Sequence, residues 1–278
     1  MTLLPVVQRK LSEAARRKGT YRTRVLAVAA ALALGAWIYA EQSRWQLPAR
    51  RGGSLFQGIA GLMFGFSLLS GVYFTSDCLS KEKRDGTLGL LFLTDLKGYD
   101  VGLGKLLATS LNAIYGLIAT FPILAIPLLV GGITWADFAR MTLVLANTLF
   151  VSLAIGIAVS TVSRNKRNAA VATFLLLLFL AGGLPLMGQL HSEIAGTRSV
   201  PNAYLLPSPG FGFSVSLTYG FSRLSNLFWR SPLTTHLIGW TFLFVSCLLL
   251  PRIWQDRPRP ANGSNGMFSS SDSATVAL

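Results

Sequence analysis

Six charge-free apolar windows alternate with short, mostly basic segments along this chain. The windows are residues 25–40, 52–76, 106–136, 141–163, 168–190 and 231–251. Stretches of roughly 20 apolar residues predict helices that cross a bilayer. The pattern therefore predicts an all-α polytopic membrane protein with six transmembrane helices. The first window holds 16 residues. At 1.5 Å per residue it rises about 24 Å, short for a hydrocarbon core about 30 Å thick. Arg24 and Glu41 can snorkel at its ends, and Tyr21, Trp37, Tyr39 and Trp45 are interface anchors. The third window is 31 residues long and contains Pro122 and Pro127. It predicts a helix of about 25 residues, kinked or broken near the prolines. Gly182, Gly183 and Pro185 predict a bend or break in the fifth.

Two amphipathic pieces flank these windows. In residues 3–18, Leu4, Val7, Leu11 and Ala14 recur at helical spacing, opposite Arg9, Lys10, Glu13, Arg16 and Arg17. That is the pattern of an interfacial helix lying along a leaflet. It defines an N-terminal unit over 1–23, ahead of a six-span domain over 24–254. Residues 255–278 are rich in Pro, Ser, Asn and Gly, a composition of disordered tails. The second piece lies between the second and third windows. It reads Glu82-Lys83-Arg84-Asp85-Gly86-Thr87-Leu88, then Gly89-Leu90-Leu91-Phe92-Leu93. The chain should leave the membrane near Asp77. Asp85 or Thr87 can cap a short helix, Leu88, Leu91 and Phe92 follow at helical spacing, and Gly98 can close it. A surface helix carrying both charge and apolar knobs is a docking element.

Composition agrees. Only 13% of residues are charged and 51% are hydrophobic, against about 25% charged in a soluble domain. The net charge of +14 could suggest nucleic acid, but the basic residues flank apolar runs. They therefore point to membrane orientation and anionic lipid headgroups, with no nucleic acid expected. Lys and Arg number 18 on one side of the membrane and seven on the other. The richer side is expected to be cytoplasmic, with both termini on it. No Asp, Glu, Lys, Arg or His is expected deep inside a window, which argues against a proton pump or ion-coupled carrier.

Small residues mark the second window. Gly61-x-x-x-Gly65, with Ser67 and Ser70, predicts close helix packing or a surface lining a path. Cys78 and Cys247 fall at different depths, so no disulfide is expected. Gly104-Lys105 is not a phosphate loop, because Tyr99 and Leu106 occupy positions that need Gly and Ser or Thr. His191, Glu193 and His236, all expected outside the membrane, are the candidates for a metal or catalytic site if the chain were a membrane enzyme. They lack motif spacing, and no cofactor or metal is expected. A non-transporting scaffold or assembly subunit is a further alternative.

The run Glu82-Lys83-Arg84-Asp85-Gly86-Thr87-Leu88, with Gly104-Lys105 opening the next span, resembles the coupling loop of bacterial ABC transporter permeases of the ABC-2 (type-2 exporter) family. Ala14-Ala15-Arg16-Arg17 with Thr20-Tyr21 and Arg24 is similar to the inner-face elbow helix that opens bacterial members. The resemblance covers about residues 5–255. It implies a non-catalytic permease subunit in the inner (cytoplasmic) membrane, working as a homodimer or a heterodimer with a second permease. A separate ABC ATP-binding subunit would hydrolyse ATP and drive export. By that resemblance Glu82 and Arg84 would make charged contacts to the ATPase, Asp85 would belong to the same coupling element, Gly86 would turn the chain and Thr87 would cap. Leu88, Leu91 and Phe92 would fill apolar pockets. The second and fifth spans would shift near the dimer interface, and short re-entrant helices would occupy the segment between spans five and six. The neutral lining, with Ser and Thr, favours an amphipathic or lipid-like cargo over an ion.

The charge asymmetry makes one prediction directly. A cysteine introduced near Arg198 should react with a membrane-impermeant thiol reagent added outside intact cells. Labelling only from the cytoplasmic side would reverse the topology.

Overall fold

The computed structural model describes residues 18–42, 48–84, 98–197, 199–217 and 225–253. Every regular element among them is helical. In chain order they are α1 (Lys18–Gln42), α2 (Pro48–Ser70), α3 (Cys78–Arg84), α4 (Gly98–Val130), α5 (Trp135–Val162), α6 (Lys166–Leu178), α7 (Leu184–Ile194), α8 (Asn202–Leu205), α9 (Pro209–Ser216) and α10 (Ser225–Ile253). A π-helical turn, Gly71–Thr75, continues α2, and another, Phe179–Gly183, joins α6 to α7. The N-terminal amphipathic segment through Arg17 and the tail beyond Ile253 lie outside the described residues.

Five helical stretches are long and apolar enough to cross a membrane: Gly52–Arg84, Gly102–Val130, Trp135–Val162, Lys166–Ile194 and Asn226–Pro251. The apolar part of α1, Val25–Ile38, is shorter; with it counted first, the five are the second to sixth stretches in chain order. The chain is thus a multi-pass membrane protein of helices. Its helices differ from the expected apolar windows in three places. Past the window end at residue 76 the second resumes as α3 to Arg84, where α5 supplies partners for the interrupted backbone (below). α4 runs unbroken for 33 residues through Pro122 and Pro127. In a membrane helix, neighbouring helices can compensate the amides that proline lacks. It stops instead at Gly131 and Gly132, whose φ of 96° and 91° only glycine adopts easily. Thr134 then starts α5 with a reciprocal capping box to Asp137. α10 begins at Ser225, well before the expected boundary at residue 231. The bend expected at Gly182 and Gly183 takes the form of the π-turn.

α5 is the centre of the bundle. In its most apolar window 67% of residues are buried, against 17% for Lys166–Ile194, so α5 is walled in by protein and the fifth stretch is mostly uncovered. Leu145, Leu149, Leu153 and Ile157 of α5 share one core with Phe56, Ile59 and Met63 of α2, Leu117 and Leu124 of α4 and Leu243 and Leu250 of α10. The opposite side of α5, through Val151 and Ile155, packs with Leu177 and Leu180 of the fifth stretch.

α5 and the first π-turn approach each other closely. A Cβ on Gly156 would lie 2.0 Å from Thr75 Oγ1, and one on Gly71 would lie 2.0 Å from the Ser152 carbonyl oxygen. Gly61 and Gly65, by contrast, have nothing within 4 Å of where a Cβ would be. Packing inside the chain therefore does not explain them.

Gly156→Leu is expected to force α5 off the π-turn and to cost about 1–3 kcal/mol, a typical overpacking penalty. Heat denaturation in detergent should reveal it as an earlier unfolding midpoint, while Gly61→Leu unfolds with the unmodified protein.

Candidate functional site

The docking element proposed from sequence begins in α3, and α3 is where the structure is most informative. A new helix leaves its first amides without internal acceptors. Here the donors of Leu79 and Ser80 are both taken by Ser160 Oγ of α5, at 2.9 and 3.0 Å. The cap comes from another helix rather than from the preceding residue. The arrangement is reciprocal, because α5 ends beside α3 and its last carbonyls also need partners. Ser80 Oγ donates to the carbonyls of Ser160 and Ser163 at 3.1 and 2.9 Å. Lys83 Nζ donates to the Thr161 carbonyl, and an Arg84 guanidinium nitrogen donates to that of Arg164 at 2.9 Å. Cations at a helix C-terminus also suit its dipole.

The stitching continues up the helices. Ser152 Oγ donates to the Leu68 carbonyl at 2.5 Å and accepts from Gly71 N–H at 2.8 Å. Thr75 Oγ1 lies 2.8 Å from the Gly71 carbonyl and 3.2 Å from that of Leu153. From Leu68 to Arg84, the second stretch is thus bonded to α5 along its length. On its other side α3 is tied to α4 by an ion pair between Glu82 and Lys105, both about one-fifth exposed. Arg84 also pairs with Asp77 at 2.8 Å. The end of α3 is therefore held in a clamp: Arg84 is bonded to the turn after α5, and Glu82 to Lys105 of α4.

Among the residues singled out from sequence, Glu82 and Arg84 stand in this clamp and contact their own chain. Asp85, Gly86, Thr87, Leu88, Leu91 and Phe92 lie outside the described residues. Gly61 and Gly65 lie on an open face of α2 with exposed Gln57 and Leu69. Ser67 and Ser70 are buried instead: Ser70 Oγ donates to the Phe66 carbonyl at 2.7 Å, and Ser67 Oγ has no hydrogen-bond partner. His191 is on α7 with its ring 5.8 Å from that of Tyr204. His236 is far from it in bonding, tied to Asn147 of α5 (below). Among the described residues no group of three or more His, Cys, Asp or Glu could hold a metal ion.

Sequence reasoning passed over Ser160 and Ser152, although a signal existed. Ser152-x-x-x-Gly156-x-x-x-Ser160 is a small-residue stripe of the same kind as Gly61-x-x-x-Gly65. It is the one the chain uses internally.

This is a helical multi-pass membrane protein whose inner scaffold is one buried helix. The family model described as "ABC-2 family transporter protein" matches residues 6–251, and the chain belongs to that family. It is accordingly the membrane component of a transporter, of a family that normally works with an ATP-binding subunit. Among curated proteins, no sequence matches this chain.

Ser160→Ala removes the acceptor of two buried amides, which costs about 1–3 kcal/mol for each group left without a partner. Hydrogen exchange should show Leu79 and Ser80 losing protection in the Ala variant, and Ser160→Thr, which keeps the hydroxyl, restoring most of it.

Proposed function

We propose that the chain is the permease subunit of an ATP-driven exporter in a bacterial inner membrane, with ATP hydrolysed by a separate ABC subunit. In this reading α1 completes six spans, both termini are cytoplasmic, and the segment 85–97 docks on the ATPase through a short coupling helix. Leu88, Leu91 and Phe92 supply its apolar contacts, with Asp85, Gly86 and Thr87 forming the turn and cap. The reciprocal capping of α3 and α5 is the observation that carries this reading. A surface segment can drive a transporter only if its displacement reaches the buried helices, and hydrogen bonds at both helix ends leave little slack.

Under this reading Glu82 and Arg84 act mainly within the chain. Their bonds to Lys105, Asp77 and the end of α5 hold the base of the docking segment. The helix that moves first is α5, together with the inner part of the second stretch. The open Gly61–Gly65 face and the uncovered fifth stretch suit a second permease copy, since small residues let backbones approach and none of the described residues fills the space. Dimerisation there would set the second and fifth stretches of two subunits around a path.

The test separates docking from transmission. Membranes are solubilised and the attached ATPase is identified by pull-down. Leu91→Asp with Phe92→Asp should lose the ATPase. Glu82→Lys, which sets two ammonium groups against each other at Lys105, should retain the ATPase but lose coupled transport. If ATPase association and transport survive both changes, the coupling assignment fails. A permease purified without any ATPase would favour a scaffold role.

A further inference from the structure

Three of the five membrane-length stretches end at one place. Arg84 closes Gly52–Arg84, Val162 closes Trp135–Val162 and Lys166 opens Lys166–Ile194. Hydrogen bonds hold these ends together: Ser80 Oγ reaches the Ser163 carbonyl, Lys83 Nζ that of Thr161 and Arg84 that of Arg164. α3 also touches α6 directly. All three stretches change here from apolar to basic, the pattern of helix ends that meet lipid headgroups.

The charge left over at this end is positive. Ser80 and Lys83 turn toward α5, and Glu82 toward Lys105 of α4. Asp77, Lys81 and Arg84 follow at spacings of four and three, on the remaining side of α3. Two carboxylates of this end are answered within the chain, Asp77 by Arg84 and Glu82 by Lys105. Lys81, Lys166 and Arg167 are exposed and make no ion pair among the described residues. Arg164, also exposed, lies on the turn that joins α5 to α6.

What stands beside the cations decides between partners. Arg167, Val171, Phe174 and Leu178 recur at spacings of four, three and four, so they share one side of α6, and all are exposed. From Arg167 to Leu178 that side rises about 16 Å, close to the apolar half-thickness of a bilayer, about 15 Å. A cation thus heads an apolar stripe one leaflet long. A soluble acidic protein could answer the cations but not the stripe, which belongs to a stretch long and apolar enough to cross a membrane. A phospholipid with an anionic headgroup answers both. The neighbouring side of α6, with Asn168, Ala172 and Leu175, is exposed too but starts on a neutral residue, so it stays open to a second copy of the chain.

We propose that an anionic phospholipid binds at this end of the bundle, its phosphate bridging Lys81 of α3 with Lys166 and Arg167 of α6 and an acyl chain lying along Val171, Phe174 and Leu178. Ammonium and guanidinium groups hold phosphate oxygens through charge-assisted hydrogen bonds, and the guanidinium can offer two parallel donors. α3 is already bonded to α5 on one side and to α4 on another. The headgroup fixes its remaining side and ties the end of the second stretch to the start of the fifth.

The proposal rests on the membrane-spanning helices and not on the transporter reading. Purified full-length protein in detergent is titrated with phosphatidylglycerol and, separately, with phosphatidylcholine of the same acyl chains, and bound lipid is counted by native mass spectrometry. At about 1 kcal/mol for each basic side chain near an anionic surface, three cations should favour phosphatidylglycerol on the order of 100-fold. On the same scale Lys166→Gln with Arg167→Gln should weaken its binding about 30-fold and Lys81→Gln about five-fold, with phosphatidylcholine binding unchanged. The three side chains are exposed, so these variants should melt with the unmodified protein. Arg22→Gln with Arg24→Gln, which removes two cations from α1, should keep the preference. Equal binding of the two lipids, unchanged binding in the Lys166/Arg167 variant, or an equal loss in the Arg22/Arg24 variant overturns the proposal. Displacement of the lipid by millimolar inorganic phosphate also overturns it, by reducing the site to one for a free anion. Loss of an attached ATPase from the Lys166/Arg167 variant, with phosphatidylglycerol binding kept, would assign the patch to a protein instead.

Discussion

A broken helix held together by its neighbour underlies this molecule. Between Gly71 and Cys78 the second membrane stretch passes through a π-turn and a short turn before it becomes helical again. In hydrocarbon, backbone groups left over at such a break cost several kcal/mol each unless something satisfies them. α5 does so with two hydroxyls: Ser152 serves the carbonyl of Leu68 and the amide of Gly71, and Ser160 serves the amides of Leu79 and Ser80. Gly71 and Gly156 make this possible, because a methyl group on either would collide with the other helix. The break and the seam thus depend on each other. Without the seam α3 would have no cap, and without the break no amides would be presented to α5.

Much of this was legible in the chain. Apolar windows gave the helices and their order, because charge is excluded from hydrocarbon regardless of how helices pack. Glycines and prolines at 182, 183 and 185 announced irregularity in the fifth stretch for the same local reason. What could not be read was partner choice. Gly61-x-x-x-Gly65 and Ser152-x-x-x-Gly156-x-x-x-Ser160 look alike in sequence, yet the first faces open space among the described residues and the second lies at one of the close approaches in the bundle. A stripe of small residues permits close approach and does not say to what. Glu82 and Arg84 read as partner-facing charges because they sit in a polar run; their contacts within the chain, to Lys105, Asp77 and the turn after α5, could not be read there. The start of α10 was hidden for a different reason. Helix boundaries are set by the last satisfied backbone group, not by the last charge, and α10 extends back past Arg230 to Ser225.

The family assignment and the seam support each other in a specific way. The ABC-2 family normally works with an ATP-binding subunit. In sequence, residues 85–97 are bracketed by Arg84, bonded to the Arg164 carbonyl just past α5, and Lys105, paired with Glu82 of α3. α5 packs against α2, α4, α6, α9 and α10, so a shift of its end is felt by almost every other helix.

The two polar attachments of α5 differ in kind. On the side of the second stretch, the bonds are between serine or threonine hydroxyls and backbone groups, spread over several turns. On the side of α10, one residue carries them: Asn147 meets the His236 ring, Thr235 Oγ1 and the Pro232 carbonyl. The first attachment makes the inner part of the second stretch and α5 one body. The second fixes α10 at a single level and leaves the rest of that contact to packing. Membrane helices gain little from apolar contact with each other, because lipid is equally apolar. Polar bonds and close packing therefore decide which helices travel together, and in this chain they bind α5 along its length to one neighbour and at one level to another.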